Sequence, residues 1–394
     1  PLHSVRCAGR MNHSAPALHA PSPVGSSTPA PSRGVQPMSR GDLEDVGRLF
    51  NQAFRQVAKA PSRDLVAYLD HLFLSSPNYT EEAGSLVHRN AAGRIDSALL
   101  ALPMTFEIEN RRITARLLCA FMADGRAGLA GAARIARAIR VSNPEFCFSD
   151  NASPVSADHW MAGGGSMLPV QSLEWRRTFR PTGAMMERIR TKLPWLNEPF
   201  LSIAAYPVDQ MARRMMPSLA ARQELRGRWV TADVDRLLHC FQTMTRHFSL
   251  RPSWSKDEFI WLLENAASNQ MQGTLTSKVL LDREDKEIGA CIYFHRPRRT
   301  AHVLNVLSEP GHEVGVVEAM FAELEASGHV AARGMAQPFL MNALLRTGRT
   351  SFVNRGYFCM TTDRKDVRNA VVHDDLYVGG LASESWSRLL TDFR

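Results

Sequence analysis

The chain has 394 residues, 44% hydrophobic and 22% charged, with a formal net charge of +8. That composition is globular and the length suits two or three domains, which excludes fibrous, collagen-like and wholly disordered chains; no apolar run nears the ~18 residues that cross a bilayer, so no membrane partner is expected. Six cysteines stand singly without a CxxC pair, which offers neither a zinc ribbon nor a disulfide framework, and Cys119 inside RLLCAFM suits a reducing cytoplasmic setting.

The first forty residues carry Arg6, Arg10, Arg33 and Arg40, no acid, and seven of the 22 prolines. Residues 1–33 lack apolar periodicity and are predicted to form a disordered extension. Their proline content argues against the amphipathic helix of an organellar transit peptide. Half of the excess positive charge lies in the first forty residues, so the rest of the chain is only mildly basic and nucleic acid is not expected as a partner.

Order is predicted from Gly34. GVQPM reads as a strand, and Ser39 precedes a helix with Asp42, Glu44 and Asp45 in its first turn. Leu43, Val46, Leu49, Phe50 and Phe54 follow helical spacing, and DLVAYLDHLFL fits a second helix. Strands follow at GSLVHR, DSALLALPMTFEIE and RRITARLLCAFMAD, the last long and apolar as a central strand is. It runs into GRAGLAGAARIARAIR, a helix with a small-residue start. EFCFSD is a strand, ASPVSADHWMAGGG a short helix ending in glycines, and SLEWRRTFRP a further strand. After a proline-punctuated connector over 181–228 the order begins again: helices at 231–248 and 255–267, a hairpin, the strand TAHVLNVLSE, a helix closed by Gly328, and then VAARGM, FLMNALLRTG and FVNRGYFCMTT. Two halves in one element order, 34–180 and 229–394, predict duplication of an α/β unit.

The segment Leu117–Arg140 carries the chemical signal. A buried strand feeds a loop that opens a helix whose first turn is nearly all Gly and Ala. Free N–H groups and the helix dipole make such a start an anion site, and Gly128, Ala130, Gly131 and Ala132 let a pyrophosphate approach the backbone. The same small residues also serve a helix packed tightly on a sheet. The P-loop lysine is absent and the dinucleotide fingerprint is not met.

Residues 34–180 resemble the GNAT superfamily of acyl-CoA N-acyltransferases. VQPMSRGDLEDVGRLFNQAFR is similar to that family's first strand and helix, and GRAGLAGAARIARAI to its Q/R-x-x-G-x-G/A loop and following helix. Gly128 and Ala130 match the last two signature positions; Gly125 stands where the family has Gln or Arg. Residues 229–394 resemble a second copy in which SEPGHEVGVVEAM replaces the loop. The resemblance implies two GNAT-like mixed-sheet lobes flanked by helices, the first binding acetyl-CoA or another acyl-CoA as cosubstrate, with no metal. The implied contacts are Gly125, Arg126, Ala127, Gly128, Ala130, Gly131 and Ala132, with Asn151 on the next strand and an oxyanion-stabilising N–H near Met122 or Ala123.

An amine from a small molecule or peptide would attack the thioester directly, with one group taking its proton and another protonating the thiolate. The family's usual acid is a Tyr on the helix after the next strand, and residues 124–190 contain none. The polar candidates there are Asn151, Ser153 and His159, with Asp124 at the strand end as relay and Glu107 and Glu109 on the neighbouring strand. Each has a plainer reading: Asp124 caps a loop, Asn151 forms a turn, His159 beside Trp160 is a surface pair, and Arg134, Arg137 and Arg140 form a solvated face. Tyr357 fills a strand unless the second half is active. In that half, Pro310 supplies no N–H, and Glu309, Glu313 and Glu318 repel a phosphate. Two readings stay beside acyl transfer: an aminoacyl-tRNA-dependent transferase, as in FemAB-like tandem enzymes, and a binding protein that retains the fold without turnover.

Overall fold

The computed structural model describes residues 34–141, 145–192 and 227–393. The expected disordered extension over 1–33 and most of the 181–228 connector lie outside the described residues.

The first half runs β1 (Gly34–Pro37), α1 (Leu43–Phe50) prolonged by a π-helical turn (Asn51–Arg55), α2 (Arg63–Phe73), β2 (Leu86–Arg89), β3 (Ile95–Ile108), β4 (Arg111–Ala123), α3 (Leu129–Val141), β5 (Phe146–Ala152), α4 (Pro154–Ala162), β6 (Ser166–Leu168) and β7 (Leu173–Thr178). Then come α5 (Pro181–Lys192), β8 (Arg228–Thr231), α6 (Val234–Met244), β9 (Leu250–Pro252), α7 (Lys256–Ala267), β10 (Thr274–Leu281), β11 (Glu287–His295), β12 (Thr300–Ser308), α8 (Glu313–Ala326), β13 (Ala331–Met335), α9 (Met341–Arg346), β14 (Thr350–Asn354), β15 (Tyr357–Thr361) and α10 (Lys365–Val372). Local chemistry sets many starts: the side chains of Ser62, Ser153, Asp233 and Ser255 accept from the first-turn N–H groups of α2, α4, α6 and α7.

Two mixed sheets result. The first has the order β1-β2-β3-β4-β5-β15-β6, with β9 added on β3; the second has β8-β10-β11-β12-β13-β7-β14. The two orders match position by position up to the fifth strand. At the sixth they exchange: β15 from the second half pairs with β5, and β7 from the first half pairs with β13. The sequence reading kept SLEWRRTFRP with the first half and FVNRGYFCMTT with the second. The structure moves β7 to the second sheet and divides FVNRGYFCMTT, whose start, in β14, stays in the second sheet while β15 joins the first.

The helices sandwich these sheets. Ile135 and Ile139 of α3 pack on Leu99 and Cys147 on one face of the first sheet. Val316, Val317, Met320, Phe321 and Leu324 of α8 cover one face of the second. The main core joins α1, α2, α6, α7 and both sheets with the C-terminal segment Leu376–Phe393, in which Trp386 is fully buried.

Candidate functional site

The parallel pair β4–β5 sets the site. It holds register only from Ala115↔Phe146 to Leu117↔Phe148. Cys119 then forms a bulge, because Leu100 faces Ala120 while Ala101 faces Leu118. A bulge bends and twists a strand, and past it β4 and β5 separate. The second sheet repeats the device. β12 and β13 pair from Thr300↔Ala331 to Val303↔Gly334, and Leu304 is bulged between the pairs Tyr293↔Val303 and Ile292↔Asn305.

The first cleft opens onto the loop Asp124–Gly128. The Asp124 N–H donates to the Asp96 carbonyl (2.8 Å), that of Gly128 to the Asp124 carbonyl (3.0 Å) and that of Leu129 to the Arg126 carbonyl (3.4 Å). Among the described residues the N–H groups of Arg126, Ala127, Ala130 and Gly131 meet no backbone acceptor. Arg126, Ala127 and Ala130 are exposed. These are open donors at the positive end of a 13-residue helix. Gly125 supplies the left-handed backbone (φ +49°) that turns the chain there.

Two of the small residues have a packing reason. A Cβ on Gly128 would lie 2.3 Å from the Asp96 carbonyl oxygen, and one on Gly131 2.4 Å from Asp96 Oδ1. Beneath them sits a buried network. The Arg134 guanidinium donates to His88 Nε2 (3.0 Å), so His88 carries its proton on Nδ1 and donates it to Asp96 (2.7 Å). Ser97 Oγ donates to the Gly128 carbonyl (2.7 Å). Arg134 is itself exposed, with Arg137 and Arg140, and reaches the buried His88–Asp96 pair from the helix surface.

Met122 is buried, and Ala123 pairs with Ser97. Asp124 is exposed and accepts from Gln52 Nε2 (2.7 Å), which joins the loop to the π-helical turn. Asn151 lies on β5 past the divergence, with its carboxamide against Gly356. His159 is exposed in the last turn of α4, with no side-chain hydrogen bond among the described residues. Glu107 and Glu109 stand at the other end of the ladder: Glu107 faces Arg112 at the start of β4 and binds Arg251 (2.6 Å).

The strand exchange supplies what the first half lacks. Tyr357 opens β15 opposite Ala152 and packs with Ala152 and Ala157 of α4, so a tyrosine from the second half stands beside β5 and α4. The exchange also gathers Asp150, Arg355 and Ser385. Arg355 donates to the Asp150 carbonyl (2.7 Å) and to Asp150 Oδ2 (3.3 Å), and Ser385 Oγ donates to the same Oδ2 (3.0 Å). Burial pushes the Cys119 thiol well up, and Glu384 and Asp150 add to the shift. Of these groups Cys119 and Tyr357 stand out in the sequence, while Asp150, Arg355, Ser385 and Glu384 do not. An acid inside the apolar strand FCFSDNA was the available signal for Asp150.

The second cleft is closed by the chain itself. The Gly311 N–H donates to Glu313 Oε1 (2.9 Å), that of His312 to the Glu309 carbonyl (3.0 Å) and that of Val316 to the His312 carbonyl (2.9 Å). A carboxylate thus stands at the helix start. Where β12 and β13 part, Asn305 holds the tail through the Leu381 N–H (2.9 Å) and the Tyr377 hydroxyl (3.0 Å), and Gly379 lies against Met335. Among the described residues no cluster of His, Cys, Asp and Glu could hold a metal ion, and no helix is long and apolar enough to cross a membrane.

No family model and no curated protein matches the sequence. Solved structures do match the fold. A conserved protein of unknown function from Enterococcus faecalis V583, described as a probable N-acyltransferase, superposes with a TM-score of 0.53 at 11% identity, over 84% of this chain and 73% of its own. A GCN5-related N-acetyltransferase from Anabaena variabilis gives 0.53 at 11% identity, over 83% and 71%. The N-myristoyltransferase of Saccharomyces cerevisiae, with bound myristoyl-CoA, gives 0.46 at 11% identity, over 87% and 80%. The first two carry the comparison: the chain has the GNAT fold.

Proposed function

We propose that the chain is an acyl-CoA-dependent N-acyltransferase with one donor site, in the first cleft. The observation that carries this reading is the divergence of β4 and β5 beside a helix start with four N–H groups that meet no backbone acceptor. A pyrophosphate bound by Gly125–Ala132 would satisfy these donors. Phe121 on β4, Leu129 at the start of α3 and Val155 at the start of α4 are exposed and offer apolar surface to the acyl-pantetheine arm. Acetyl-CoA is the default donor and a primary amine the acceptor. The second cleft, filled by Glu313 and the tail, would shape the acceptor side.

In the reaction the amine nitrogen attacks the thioester carbon, and the oxyanion is held by a backbone N–H at the freed end of β4, near Met122 or Ala123. Asp124, fixed by Gln52 at the mouth, relays protons to solvent. Tyr357 protonates the departing thiolate, a role for which the sequence offers Asn151, Ser153 and His159 as candidates. The reason is position: Tyr357 opens β15 opposite Ala152 at the end of β5, whereas His159 is exposed in the last turn of α4.

The test is release of free thiol from acetyl-CoA with a panel of amines. Amine-dependent release is expected. Binding without turnover on any amine would make the chain a binding protein, and release only with charged tRNA would overturn the choice of donor.

A further inference from the structure

We propose that Asp150 is the anchor for the acceptor's amine, which it holds as a primary ammonium group through Oδ1. The inference rests on the acyl-transfer reading and adds the acceptor contact to it.

Asp150 lies two residues past Phe148, the last residue of β5 to pair with β4, and so inside the divergence. The strand carries an extra residue there, because Ser149 faces Cys359 while Ala152 faces Tyr357; bulges of this kind re-aim side chains beside active sites. The side chain is fully buried. Oδ2 is held by Arg355 and Ser385, which fixes the carboxylate, whereas Oδ1 is buried and accepts no hydrogen bond. A buried acceptor left unmatched costs stability, and more when it is charged. The carboxylate is therefore incomplete without a donor.

The charges nearby favour a cation. Asp150 and Glu384 are both close enough to Cys119 to raise its thiol, which stays neutral. Arg355 is the cation bound to Asp150, and His302, which faces Arg355, is held neutral by burial. Arg355 reaches the carboxylate at Oδ2, and the unbonded Oδ1 still offers an acceptor to an ammonium. A second unmatched group lies in the adjoining chain. Gln171 is fully buried with neither end of its amide bonded, and it precedes Ser172, whose carbonyl takes the Arg355 N–H (3.1 Å) and whose hydroxyl takes the Phe358 N–H (2.9 Å).

The proton balance follows. The bound ammonium gives one proton to Asp150 and becomes nucleophilic. Its nitrogen forms the C–N bond, the C–S bond breaks, and the second proton lost by nitrogen ends on the thiolate. Products are the amide and free CoA, and Asp150 returns its proton to solvent.

Titration calorimetry of the wild-type chain with n-hexylamine and n-hexanol near pH 7, CoA present, reads the ammonium preference directly. The amine is expected to bind at least ~10-fold more tightly, as a hydrogen bond between charged groups requires. Asp150→Asn should abolish that preference, leave the acetyl-CoA Kd unchanged and lower kcat/KM for amines about 100-fold. Ser385→Ala, which leaves Oδ1 untouched, should keep the preference. Equal binding of amine and alcohol by the wild type overturns the proposal even if Asp150→Asn does not fold, and so does a preference that survives in a folded Asp150→Asn. Absence of CoA binding would defeat the acyl-transfer reading instead, while the amine–alcohol comparison still reports on Asp150.

Discussion

At the scale of single residues, the site separates groups that shape the backbone from groups that meet ligand. Gly128→Glu is a poor probe of anion binding, because any side chain there meets the Asp96 carbonyl at 2.3 Å. Ala127→Glu is the informative change: the residue is exposed, its N–H meets no backbone acceptor, and a carboxylate there opposes a pyrophosphate. It should keep the wild-type melting temperature and weaken acetyl-CoA binding at least ~10-fold, as read by calorimetry; unchanged affinity would remove the loop from the site. Tyr357→Phe deletes one hydroxyl from a packed ring. Thiol release at saturating substrate should fall about 100-fold with little change in CoA affinity, and an unchanged kcat would return the acid role to another group. The loop was legible in sequence because a small-residue helix start is a local pattern. Asp150, Arg355 and Ser385 were not, since their bonds span 205 and 235 residues.

At the scale of elements, hydrophobic periodicity located the long strands and most helices, because that signal is local, and in the structure Ser62, Asp233 and Ser255 cap their helices as their residue types favour. The tail after α10 has no helical or strand period, yet it is among the most buried parts of the chain. Trp386→Ala, at a fully buried indole, should destabilise by about 3–5 kcal/mol in urea unfolding. A loss under 1 kcal/mol would mean that the tail does not complete the core. A second prediction concerns His329, buried at the end of α8. Its Nδ1–H donates to the Arg299 carbonyl (3.0 Å), and its Nε2 accepts from His295 (2.9 Å). Burial holds it below the ordinary 6.5, opposed by the Arg299 bond and Glu187 and helped by His295 and Arg180. The unfolded chain therefore binds this proton more readily than the folded one, and stability is lost as pH falls below about 6.5. The slope reaches at most about 1.4 kcal/mol per pH unit from this group. His329→Gln should flatten the decline between pH 7 and 5, and an identical slope would assign the loss to other groups.

At the scale of the whole molecule, the repeat was readable from element order, while the reciprocal placement of β7 and β15 was not, because strand order across a sheet has no local signature. Since each sheet is completed by the other half, calorimetric unfolding should show one transition, whereas two separated transitions would mean that the halves are stable alone. The exchange also makes the asymmetry of the clefts a property of one chain: the first keeps open amides, and the second fills its own helix start with Glu313 and its strand gap with Tyr377–Leu381. That asymmetry is tested most directly by titrating acetyl-CoA into the full chain. Saturation at about one equivalent, lost in Ala127→Glu, is predicted from a single open anion site. Two equivalents, or one that survives Ala127→Glu unchanged, would contradict it.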